Sequence, residues 1–132
     1  ENNHSEKRRK IVKILLIVGA VLAALAVTIG AFGAHGLKSR LSSEDLVIFE
    51  IGVRYHMYHS IAVLLLGIIG YFMPHSLISP VAFLMIAGII IFSGSLYFLV
   101  ITDSRWLGAI TPIGGMCFII GWLLLAVNIY RS

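Results

Sequence analysis

Four stretches free of Asp, Glu, Lys and Arg, each about as long as a bilayer core is thick, constrain this chain more than any other feature. The first covers residues 14–34, and the others cover about residues 55–73, 81–102 and 112–130. A helix rises 1.5 Å per residue, so some 20 residues cross a hydrocarbon layer of about 30 Å. Inside that layer a chain must satisfy its own backbone, which leaves helices or a closed barrel. Runs this long and continuous, without alternation of polar and apolar positions, specify helices. Hydrophobic residues make up 59% of the 132 residues and charged ones 12%, against about 25% charged in soluble domains. A soluble domain is thereby excluded, and the length leaves room for one small domain. The expected fold is an all-α integral membrane protein, a four-transmembrane-helix bundle with short loops.

The ends of these runs carry helix signals. Ser42 and Ser43 precede Glu44 and Asp45, a serine and acidic pattern that caps the free N–H groups of a helix start. From there a helix is predicted to run to Met73, before Pro74. Its early part, with Glu50 and Arg54, forms an interfacial extension at the start of helix two. Pro74 and Pro80 are expected to bracket a loop. Asp103, Ser104 and Arg105 mark a polar turn. Thr111-Pro112 reads as an N-cap followed by proline at the first helical position.

Charge is concentrated at the start. Lys7, Arg8, Arg9, Lys10 and Lys13 supply five of ten basic residues, so residues 1–13 read as a basic tail ahead of a domain over 14–130. The following apolar run is too long for a signal-peptide core of 7 to 15 residues, which predicts a retained first span. Four spans put both termini on one side. That side holds six Lys and Arg residues, and the other holds four, Lys38, Arg40, Arg54 and Arg105. The positive-inside rule then favours cytoplasmic termini. The basic cluster is short and lacks interleaved aromatics, so no nucleic-acid partner is predicted. Tyr71 and Tyr130 fall at one interface and Trp106 at the other, as aromatic anchors.

Small residues mark where helices approach closely in lipid. Ala26, Gly30 and Ala34 lie four apart in the first span, Ala87 and Gly94, and Gly88 and Ser95, seven apart in the third, and Gly114, Cys117 and Gly121 line one face of the fourth. Every span but the second therefore shows a narrow face. These faces suit packing within the bundle, or a homo-oligomer seam.

The polar residues gather towards one end. His35 closes the first span, and Gly52, Tyr55, His56 and His59 form one stripe on the second. Asp103 is placed to join this outer cluster or to pair with Arg54. Three imidazoles near a carboxylate offer a metal or haem site. Interhelix hydrogen bonding by the same groups is the plainer reading. No span has a charge at its centre, which argues against an ion-coupled carrier. The chain also lacks a Gly-x-Ser-x-Gly elbow, a phosphate loop and a His-Glu-x-x-His helix. Cys117 stands alone, so no internal disulfide forms.

The segments Gly30-Ala31-Phe32-Gly33-Ala34-His35-Gly36-Leu37, Tyr55 with His59, Phe92-Ser93-Gly94-Ser95-Leu96-Tyr97, Thr111-Pro112-Ile113-Gly114-Gly115 and Gly121-Trp122 resemble the YgdD/YwdK-like family of small bacterial inner-membrane proteins. This is domain-of-unknown-function family 423, to which eukaryotic transmembrane protein 256 is similar. The resemblance implies four membrane helices, an inner-membrane location and no assigned activity. It directs attention to His35, Tyr55, His59, Ser93, Ser95, Tyr97, Thr111 and Trp122. The expected function is that of a non-enzymatic accessory or stabilising subunit, without a cofactor, binding another membrane protein or lipid. The alternative is a metal- or haem-binding redox or transport protein using His35, His56 and His59.

Overall fold

A computed structural model describes residues 2–132 as a helical protein whose four long helices are each apolar enough to cross a membrane. Helix α1 spans Asn2–Leu37, α2 Ser43–Ile69, and α3 His75–Thr102. A single-turn 3-10 segment, Arg105–Ala109, then leads into α4, Thr111–Arg131. No strand occurs among the described residues.

Helix α2 begins as its sequence predicts. The Ser42 hydroxyl accepts a hydrogen bond from the Asp45 backbone N–H at 3.1 Å, with Glu44 and Asp45 in the first turn. The other boundaries depart from expectation in physically simple ways. The basic segment is helical and continuous with the first span, because its Lys, Arg and Glu are good helix formers. Helix α2 stops at Ile69 rather than Met73, and Gly70 to Met73 fold as successive turns. Pro74 disfavours the helical conformation of the residue before it. Helix α3 starts at His75, not after Pro80, which sits in its second turn. The N–H that proline lacks would have bonded the Ser76 carbonyl, and Ser76 lies exposed at the helix end.

Two of the long helices contain a π turn, Gly33–Leu37 closing α1 and Ile89–Ser93 within α3. Each widens the backbone by one residue and redirects the side chains beyond it. Helix α3 ends on Asp103, whose backbone is left-handed with φ of 55°, a conformation that aspartate tolerates better than most residues.

Helices α2 and α3 form the interior and α1 and α4 flank them. Helix α1 packs chiefly on α2, and α4 chiefly on α3. The core joins Leu15, Val63, Leu66, Ile78, Val81, Met85 and Phe118, and a smaller cluster of Leu37, Phe49, Leu99 and Val100 closes one end. The outward faces of α1 and α4 show Ile14, Ile17, Val21, Leu25, Ile119 and Leu123, as lipid contact requires. Tyr71, Trp106 and Tyr130 are exposed at helix ends, free to anchor in the head groups.

The helix crossings rest on glycines, and the second helix carries its share, contrary to the sequence expectation. A Cβ on Gly67 would lie 2.8 Å from Leu16, and one on Gly52 would lie 2.9 Å from the Tyr97 ring. Gly19 on α1 is held against the Leu64 and Ser60 backbone in the same way. Of the stripe on α1, Ala26 is fully buried, Gly30 half-buried and Ala34 exposed. On α3 a Cβ at Gly88 would meet the Phe118 ring, whereas one at Gly94 would meet nothing within 4 Å. Gly94 is therefore not a packing residue. Gly114 faces the backbone of Phe92, and Gly121 the Met85 side chain. Ala87 and Cys117 are half-buried.

Candidate functional site

The polar residues of the last four motif segments meet between α2, α3 and α4. His59 is buried, and its ring stacks on Phe118 with centroids 3.5 Å apart. Its Nδ1 lies 2.8 Å from the Tyr55 carbonyl one turn back. A carbonyl only accepts, so Nδ1 carries the proton and Nε2 must be the acceptor. That atom receives the Trp122 indole N–H at 3.1 Å. The two bonds specify one neutral tautomer, and both ring nitrogens are engaged.

His56, one turn earlier, is also buried, with Nδ1 2.9 Å from the Tyr97 hydroxyl. Its Nε2 is buried and has no hydrogen-bond partner. The Ser93 hydroxyl donates to the Gly52 carbonyl at 2.6 Å, and Ser60 donates to the His56 carbonyl at 2.7 Å. Ser95 and Thr111 share a hydrogen bond of 2.6 Å between α3 and the start of α4. Thr111 is thus a tie between helices and not the N-cap read from its sequence; Ile110 occupies the cap without a side-chain bond. The π turn at Ile89–Ser93 sets this geometry. It directs Ser93 at α2 while the adjacent Phe92 backbone rests on Gly114.

The remaining members of the predicted outer cluster lie elsewhere. His35 is exposed on the π turn of α1. Tyr55 is partly exposed, its ring near those of His59 and Phe92. Asp103 pairs with Arg105 rather than Arg54, and Arg54 has no ion pair among the described residues. No three His, Cys, Asp or Glu among the described residues are placed to hold one metal ion.

Further contacts escaped the sequence reading. Arg105 forms a two-pronged bond to the Asp45 carboxylate, 2.8 Å on each arm, and a 2.8 Å bond from Nε to Asp103. The guanidinium hydrogen bonds hold the Asp45 carboxyl below the usual carboxylate range and push the arginine up. At the other end Asn128 donates to the Leu77 carbonyl at 2.8 Å, tying α4 to α3. An amide inside an apolar run was the available signal for that bond. Phe118, the stacking partner of His59, had no signal beyond its place in an apolar face.

A family model described as "Protein of unknown function (DUF423)" matches residues 29–115, which include all but the last of the motif segments built into this cluster. The chain belongs to that family. It is 48% identical over 115 residues to a UPF0382 membrane protein of Staphylococcus epidermidis, covering 87% of this chain and 93% of the relative. It is 45% identical over 119 residues to a UPF0382 membrane protein of Staphylococcus saprophyticus, covering 90% and 98%. The UPF0382 membrane protein YwdK of Bacillus subtilis is 43% identical over 120 residues, covering 87% and 94%. No solved structure matches significantly. Membership makes this a membrane protein of a family without an assigned function.

Proposed function

We propose that this family member is a non-enzymatic protein of the bacterial inner membrane, an accessory or stabilising subunit that binds another membrane protein or lipid. One observation carries the reading. The buried polar groups with chemistry to offer are engaged with one another between helices: His59 with Trp122, His56 with Tyr97, Ser93 with Gly52 and Ser95 with Thr111. In lipid, where hydrophobic drive between helices is weak, such bonds and close glycine contacts hold a bundle together. His59 has no free nitrogen for a metal, and His35 stands apart from both buried imidazoles. The excess of basic residues on the terminal side supports cytoplasmic termini. There Lys7, Arg8, Arg9, Lys10 and Lys13 lie exposed along the start of α1, suited to anionic head groups.

Cross-linking in native membranes followed by affinity isolation of the tagged protein tests this function. A protein or lipid recovered in fixed ratio to the chain is the expected result. A monomer carrying neither would contradict the proposal.

A further inference from the structure

A groove of about 450 Å³ lies between the end of α1 and the first half of α2, within the size range of ligand pockets. Its floor is apolar, formed by Gly33, Phe49 and Val53, and its walls carry Lys38, Glu50 and Arg54. A side chain at Gly33 would collide with the Phe49 ring, so the glycine lets the two helices close beneath the groove. All three charged residues are exposed, and none forms an ion pair among the described residues. Asp45, Asp103 and Arg105, in the adjoining turns, are all paired. Arg40 and Glu44 nearby also form no ion pair, but among the unpaired charges at this end it is Lys38, Glu50 and Arg54 that line the groove.

Its depth is informative. Lys38 follows the apolar run over residues 14–34, and Arg54 immediately precedes the one over 55–73. Both cations therefore sit at the level of lipid head groups, where long basic side chains reach outward along an apolar surface. We propose that the groove binds one phospholipid of the ethanolamine class. Lys38 and Arg54 hold its phosphodiester, Glu50 accepts from its ammonium, and the upper acyl segment covers Gly33, Phe49 and Val53. A guanidinium is suited to paired hydrogen bonds with phosphate oxygens. Glu50 decides the class: a head group with only negative charge would leave this carboxylate facing the phosphate, and a choline has no N–H to donate to it. The mixed charges above an apolar floor complement an amphiphile with a zwitterionic head.

This inference rests on the proposed role as a binder of membrane components and names one such component and its site. Its test is native mass spectrometry of the full chain after reconstitution in vesicles of equal phosphatidylethanolamine and phosphatidylglycerol. The wild type is expected to retain one phosphatidylethanolamine. The double variant Lys38→Gln, Arg54→Gln should lower that occupancy about tenfold. Glu50→Gln should retain a lipid without preferring the ethanolamine head group. All three positions are exposed, and thermal unfolding of each variant in detergent checks that the fold is kept. Equal retention by the double variant, retention blind to the head group, or a second copy of the chain across the groove would overturn the proposal. A partner protein captured from native membranes alongside an empty groove would refute the lipid site and leave the proposed function standing.

Discussion

Replacing Gly114 by valine is expected to keep α4 from seating on α3 and to destabilise the protein by about 3 kcal/mol or more, the upper range for overpacking a dense interior. A Cβ at this position would overlap the backbone nitrogen of Phe92 and lie 2.8 Å from its Cα. Most overpacked sites relax by rotating a side chain. Here the obstacle is backbone, at the π turn that also directs Ser93 into its bond with Gly52, so relief at one contact disturbs the other. The companion change is Gly94→Ala, twenty residues earlier and one residue past the same π turn. Nothing lies within 4 Å of its added methyl, and loss of glycine from a helix interior favours the helix by up to about 1 kcal/mol. Reversible unfolding in mixed micelles separates the two outcomes. Similar stabilities for both variants would mean that α4 does not pack on this turn.

His59→Ala is expected to cost about 3 kcal/mol in the same assay. The substitution opens a cavity beside Phe118 and removes two hydrogen bonds, and large-to-small changes of this kind typically cost 2 to 5 kcal/mol. Trp122→Phe removes one of those bonds and should cost much less, about 0.6 kcal/mol and at most about 1.7, as found for hydrogen bonds between membrane helices. The difference between the variants locates most of the loss in packing. A stability unchanged by His59→Ala would show that the ring is not a structural strut.

Much of the fold was legible because the bilayer imposes a simple length rule. The four apolar runs identified four helices, and Ser42 with Asp45 marked a start that the hydrogen bond reproduces. Boundaries set by proline were harder. Pro80 reads as a loop residue, yet near an exposed helix start its missing N–H removes only one bond, so the helix accommodates it. Glycines posed a different difficulty. Gly94 and Gly114 are equivalent as letters, and only the tertiary register shows open space beside one and a backbone beside the other. The stripe of Gly52, His56 and His59 was visible from helical spacing, and these three residues are buried together. Their partners were not, because Tyr97 and Trp122 come from other helices and the π turn shifts the register between them. The same holds for Asp45 and Arg105, sixty residues apart. Their shared place at one end of the bundle suggested Asp103 and Arg54 instead, but Asp103, in its left-handed turn, bonds Arg105 two residues on.

Solid-state ¹⁵N spectroscopy of histidine-labelled protein in bilayers tests most directly whether the buried polar cluster ties helices together. The account predicts that His59 is a neutral imidazole protonated at Nδ1, with the Nε2 signal displaced on Trp122→Phe as that atom loses its donor. A ring protonated at Nε2, or a nitrogen shift characteristic of metal coordination, would contradict it.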